Sequence, residues 1–277
     1  MYGITIQDPN TSGFATGNSA FTGVVKILYN KNNGTFFCSG SLISPDVILT
    51  AGHCIEGASN WSVTFETANG ASVLLAAQAF LHPDYAPRPS PVSQIPQYDV
   101  GILRLSGIAP AGAAIYTLDT AYGGPDGTLI DMVGYGLNGG AGQTAVNNTT
   151  RHWAQNLVQA QLSSSNFGGG TVVSTPDLPL FSYVVYGTGT SATAGLTAPG
   201  DSGGPLFYNG TILGVTSAGN FPGGTIQTNT LYTAYFANLS EDVTGDWVQS
   251  FLVPEPGTIA FVSAGLIALI AMRRRKE

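Results

Sequence analysis

At 277 residues and 43% hydrophobic content, the chain has apolar mass for a sizeable core, which excludes a disordered segment and suits one all-β domain or two fused barrels. Only 9% of residues are charged, whereas 37 glycines and 16 prolines punctuate the sequence, a balance that favours short strands and turns over long helices. The formal net charge is −7 and four of the nine basic residues are Arg273, Arg274, Arg275 and Lys276, so the rest is acidic and lacks the electrostatic footprint of a nucleic-acid binder.

In chain order, residues 1–19 carry neither a basic start nor an apolar run of leader length and stand apart as a segment of uncertain processing. Gly23-Val-Val-Lys-Ile-Leu-Tyr29 predicts a strand, Asn30 to Gly34 a turn, and Phe36-Phe37-Cys38 a second strand, together a hairpin. Further strands are predicted at Trp61–Phe65, Val73–Leu75, Val100–Leu105, Thr128–Val133 and Thr211–Thr216, with glycine-rich loops at 136–142 and 168–170. No period of about 20 to 50 residues recurs, which argues against a solenoid or propeller. Val243, Trp247, Val248 and Phe251 recur at helical spacing in 241–252, the expected closing helix, which Val253-Pro-Glu-Pro256 ends. Ile259 to Met272 is then an apolar run whose helix would be roughly 21 Å long, short of a bilayer core of about 30 Å, and the basic cluster behind it belongs on the cytoplasmic side.

Three segments carry chemistry. Pro199-Gly-Asp-Ser-Gly-Gly-Pro-Leu206 offers a serine hydroxyl among glycines that turn the backbone tightly and bare its N–H groups. Leu49-Thr-Ala-Gly-His-Cys54 offers an imidazole able to exchange protons near neutral pH, and Tyr98-Asp-Val-Gly-Ile-Leu-Arg-Leu105 a carboxylate at the head of an apolar strand. The other histidines, His82 and His152, lie in no comparable context. Cys38 and Cys54 admit one disulfide and, with no third cysteine, make a poor zinc site.

These motifs, in the order His53, Asp99, Ser202, resemble those of trypsin- and chymotrypsin-like serine peptidases. Phe37-Cys-Ser-Gly-Ser-Leu-Ile43, Val133-Gly-Tyr-Gly136 and Gly214-Val-Thr-Ser-Ala-Gly219 extend the resemblance over most of residues 20–252. It implies an all-β fold of two antiparallel Greek-key barrels, the first over 20–122 and the second over 123–240, followed by the closing helix. It also implies a catalytic triad of His53, Asp99 and Ser202, an oxyanion hole from the N–H groups of Gly200 and Ser202, and a Cys38–Cys54 disulfide. Neither a metal nor an organic cofactor is expected, and the substrate would be a protein or peptide.

By that resemblance, counting back from Ser202 puts Leu196 at the base of the primary specificity pocket, with Thr197 and Gly219 along its wall and rim and Ser217 among the substrate-binding residues of the strand that pairs with substrate. A pocket without a carboxylate rejects lysine and arginine, so cleavage after small or medium apolar residues is expected. Two departures stand out: Gly52 where alanine is more usual, and Ala218 where an aromatic residue is more usual. Asp201 would receive the ammonium of a newly cut N-terminus, but Phe14-Ala-Thr-Gly17 is a poor match to such a terminus, which leaves activation by cleavage open.

Residues 253–277, with their Pro-Glu-Pro, apolar stretch and arginine-rich end, resemble the PEP-CTERM tail that an exosortase processes in Gram-negative bacteria. That implies an exported body, secreted or at the cell surface, transient contact of the tail with the inner membrane, and a start of the exported protein upstream of Met1. The alternative reading is a catalytically silent surface binding or adhesion protein with a peptidase-like fold.

Overall fold

A computed structural model describes residues 5–6, 20–87, 96–120, 127–137, 139–140, 150–163, 180–186, 195–219, 233–240 and 242–252. A short strand β1 (Thr5–Ile6) comes first, followed by six strands of one closed barrel: β2 (Val24–Lys31), β3 (Gly34–Ser44), β4 (Val47–Thr50), β5 (Ser59–Thr67), β6 (Gly70–Leu81) and β7 (Gly101–Leu105). Next come β8 (Leu129–Gly134), β9 (Gly139–Gly140), β10 (His152–Ser163), β11 (Leu180–Tyr186), β12 (Gly195–Leu196), β13 (Pro205–Tyr208), β14 (Thr211–Gly219), β15 (Thr233–Asn238) and one helix, α1 (Asp242–Ser250). The second closed barrel runs β10-β11-β15-β14-β13-β8, and the first β2-β3-β4-β7-β6-β5. All the barrel pairings are antiparallel, and β4 lies against β7 rather than its successor β5, which returns to β2 as a Greek key requires.

The β2–β3 hairpin is closed by Asn32 and Asn33 at φ of +49° and +60°, a turn whose two left-handed residues match the twist of the strands they join. Inward positions of β2 and β5, among them Val25, Ile27, Val63 and Phe65, are buried in the first barrel. Ile130, Met132, Leu206, Leu213 and Phe236 fill the second. Strands β3 and β6 extend well beyond the residues that predict them, since the ladder continues through Ser39–Ser44 in β3 and on both sides of Val73–Leu75 in β6, and it is made by backbone groups whatever the side chain. Part of the expected glycine-rich loop at 136–142 is strand: β9 and β12 flank β1 in a separate three-stranded sheet. The expected loop at 168–170 lies outside the described residues.

Helix α1 closes back on the first barrel. Phe251 meets Phe80 with ring centroids 5.0 Å apart, and Trp247 meets His82 edge-on at 4.9 Å. Between the barrels, the fully buried Arg151 donates from Nη1 to the carbonyls of Val24 (3.2 Å) and Glu66 (3.3 Å) and to the Tyr135 hydroxyl (3.1 Å). The second barrel thereby grips two strands of the first, and the seam between them holds the candidate site. No described helix is long and apolar enough to cross a membrane, and the tail at 253–277 lies outside the described residues.

Candidate active site

Strand β4 delivers the chain into a single 3-10 turn, Gly52–Cys54, that carries His53. A Cβ on Gly52 would come within 2.8 Å of the Tyr85 ring, so glycine at the position before His53 is what lets that ring pack there. The Cys38–Cys54 disulfide, with Cα atoms 6.4 Å apart, ties the far end of the turn to β3.

Asp99 follows Tyr98, whose φ of +46° is an uncommon left-handed conformation for a bulky residue, and it precedes β7. Its carboxylate is buried and accepts three hydrogen bonds: from the His53 backbone N–H to Oδ1 (2.8 Å), from His53 Nδ1 to Oδ2 (2.8 Å) and from Ser217 Oγ to Oδ2 (2.6 Å). Burial by itself would raise the Asp99 carboxyl, but the imidazole beside it and the hydrogen bonds from His53 and Ser217 outweigh burial and hold it below the usual carboxylate range. With Nδ1 donating to Asp99, the His53 ring leaves Nε2 as the nitrogen able to accept a proton.

Ser202 lies in the turn between β12 and β13, whose backbone is pinned at both ends. Asp201 N–H donates to Ala198 O (3.0 Å), Gly203 N–H to Thr216 O (2.7 Å) and Gly204 N–H to Asp201 O (2.7 Å). Gly200 sits at φ +102°, and a Cβ there would collide with the Phe37 ring at 2.5 Å and with Gly136 Cα at 2.8 Å, so only glycine fits this turn. The Asp201 side chain is fully buried beneath it, accepting from Gly136 N–H (3.0 Å) and Ala198 N–H (3.1 Å). Burial pushes its carboxyl up to about 8 in spite of those two donors.

His53 and Ser202 share a hollow of about 240 Å³ with Thr197, Ala198, Pro199, Thr216, Ser217, Ala218 and Gly219. The expected Thr197, Ser217 and Gly219 are thus in its lining, and among the described residues no carboxylate, lysine or arginine faces it. Leu196 corrects the sequence expectation. It is absent from the lining and buried instead in the core of the second barrel with Ile130, Leu206 and Phe236.

Sequence reasoning placed Ser217 only among the substrate-binding residues and missed its hydrogen bond to Asp99, which joins residues 118 positions apart. Ala198, Pro199 and Thr216 were likewise missed, since nothing local marks a residue as facing a cavity between distant loops. Among the described residues one group of possible metal ligands occurs, Cys38, His53 and Cys54. With both sulfurs joined in the disulfide, only one imidazole is left to bind, and a lone imidazole does not make a metal centre.

The family model described as Trypsin matches residues 12–240, and the model described as the PEP-CTERM protein-sorting motif matches 252–276. Brachyurin of Leptuca pugilator is 31% identical over 198 residues, which cover 66% of this chain and 76% of that protein. Serine protease 2 of Streptomyces fradiae is also 31% identical, over 173 residues covering 62% of this chain and 78% of that one. Trypsin delta of Drosophila erecta is 26% identical over 225 residues, covering 76% and 81%. Among solved structures, one described as HL collagenase superposes with a TM-score of 0.63 at 18% identity, covering 87% of this chain and 97% of the other, a likeness of fold.

Proposed function

This chain belongs to the trypsin family of serine endopeptidases and carries a PEP-CTERM sorting motif, and from that premise we propose that it hydrolyses peptide bonds outside the cytoplasm through His53, Asp99 and Ser202. The observation that carries the reading is the hydrogen-bonded chain Ser217–Asp99–His53, ending in a hollow that His53 shares with Ser202.

In this mechanism the Ser202 hydroxyl attacks the scissile carbonyl while His53 Nε2 takes its proton. Asp99, buried and held ionised, keeps the imidazole in the tautomer with Nδ1–H and stabilises the imidazolium that forms. The negative oxygen of the tetrahedral intermediate is met by the N–H groups of Gly200 and Ser202. His53 then passes its proton to the leaving amine, and an acyl group stays on Ser202. Water, deprotonated by His53, attacks that ester and regenerates the serine. Nucleophile, base and charge stabilisation all come from the chain itself, so turnover is expected to persist in chelator.

A described lining without a carboxylate supports cleavage after small or medium apolar residues, because a lysine or arginine would be desolvated there without a compensating charge. With Leu196 withdrawn into the core, Thr197, Thr216, Ala218 and Gly219 set that choice. A peptide-library profile dominated by Arg or Lys before the cut would overturn it. The sorting motif points to an exported protein, and an exosortase of a Gram-negative inner membrane is the enzyme proposed to process it. The silent surface-binding alternative has no observation of its own in the site. A serine-directed fluorophosphonate separates the two: wild-type protein labels and Ser202→Ala does not, whereas equal labelling of both, or none of either, refutes the triad.

A further inference from the structure

The oxyanion turn 199–203 contains two glycines at positive φ, Gly200 and Gly203. Glycine gives such a turn its shape but nothing to hold that shape, since it loses more conformational freedom on ordering than any other residue. Donors that must already face the developing charge need an external anchor.

Ser39, on β3 of the first barrel and fully buried, supplies one. Its Oγ donates to the Gly200 carbonyl (2.9 Å) and accepts from the Tyr135 backbone N–H (2.9 Å). Its own backbone N–H donates to the Ser202 carbonyl (2.7 Å). Its carbonyl accepts from Thr50 Oγ1 (2.8 Å) on β4, the strand that leads to His53. One residue therefore ties the carbonyls on both sides of Asp201 to the strand pair that carries the general base. With the hydroxyl proton committed to Gly200 by the N–H arriving from Tyr135, the hydrogen bond has a fixed direction.

We propose that Ser39 is a positioning residue for the oxyanion turn: its hydroxyl fixes the Gly200–Asp201 peptide, the unit joined through the Gly200 Cα to the Pro199–Gly200 peptide that carries the Gly200 N–H, and so limits how far that N–H can swing relative to His53. The inference rests on Gly200 acting as an oxyanion donor in the reaction proposed above. Ser41 provides an internal comparison, two residues along the same strand, buried, with its hydroxyl lacking a hydrogen-bond partner among the described residues.

The test compares Ser39→Ala with Ser41→Ala in the full chain, using a peptide substrate, the matching peptide aldehyde, whose hemiacetal oxygen occupies the oxyanion position, and the matching peptide amide. Ser39→Ala is expected to lower kcat by roughly 10- to 100-fold, less than loss of an oxyanion donor outright, with KM nearly unchanged. Affinity for the aldehyde should fall in parallel while that for the amide holds, and Ser41→Ala should match wild type in all three. Ser39→Thr, which keeps the hydroxyl, should recover much of kcat. Wild-type kcat and aldehyde affinity in Ser39→Ala, or a rise in KM alone, would overturn the proposal. Should the alanine variant not fold, Ser39→Gly removes the same hydroxyl, and a wild-type kcat there overturns it equally. If wild type itself fails to react with fluorophosphonate, the reading of Ser202 falls first and this inference with it. Labelling of wild type beside an unaffected Ser39→Ala sinks this inference alone.

Discussion

Asp99 and Asp201 are both buried carboxylates in one site, yet their environments drive them in opposite directions. Asp99 accepts from His53 and Ser217 and sits below its ordinary range, whereas Asp201 accepts from the backbone N–H groups of Gly136 and Ala198 and burial pushes it up to about 8. A depressed carboxyl contributes stability that is present above the unfolded value near 4 and is lost as pH falls through the folded value. A raised one contributes stability that is full below about 4 and is lost as pH rises towards 8. The chain with residues 1–19 attached is therefore expected to lose part of its Tm between pH 5 and pH 8.5, and Asp201→Asn to flatten that slope. Parallel profiles of the two proteins would mean that Asp201 stays ionised, with a cation beside it. For Asp99, replacement by Asn is expected to leave the far-UV circular dichroism unchanged and to cut kcat by roughly four orders of magnitude, through loss of the Nδ1–H tautomer of His53. Near-wild-type turnover in that variant would assign the carboxylate elsewhere.

The turn bearing His53 is three residues long, too short to hold itself, and its order comes from what is fastened to each side. Asp99 takes the backbone N–H of His53, and the disulfide fastens Cys54 to β3 across a separation of 16 residues. Removing both cysteines as serines is expected to cost roughly 3 kcal/mol by loop-closure entropy, read as a shift in urea midpoint. An unchanged midpoint would show that the strand pairing of β3 with β4 suffices. At this scale much was legible in advance. Alternation of apolar and polar residues marks β5, short apolar runs mark β2 and β7, and the Asn-rich turn marks the first hairpin. β1, β9 and β12 were not legible, because two-residue strands are too short for any periodicity and exist only by virtue of one another.

For the molecule as a whole, the arrangement divides labour between barrels: the first carries His53 and Asp99, the second Ser202 and most of the hollow, so activity depends on the seam. Arg151, Ser39 and the Ser217–Asp99 hydrogen bond all cross that seam. Beyond the barrels, the sorting motif predicts that mature protein from its native cell lacks the apolar run 259–272 and the basic residues 273–276. Intact-mass measurement checks it, and a mass that retains the full C-terminus would favour a plain membrane anchor.

The sequence alone determined the class of chemistry through the resemblance of three local motifs, around Ser202, His53 and Asp99, to those of trypsin- and chymotrypsin-like peptidases, because each motif is contiguous and its order is written in the chain. It determined the β-rich architecture and the tail for the same reason. What it left to the tertiary structure were relations between distant segments: Ser217 completing the hydrogen bonds of Asp99, Ser39 reaching the Gly200 carbonyl 161 positions away, and Leu196 turning into the core instead of the hollow. Those depend on strand register and on how two closed barrels meet. A shift of one residue reverses the face of every side chain along a strand, and no local pattern records it.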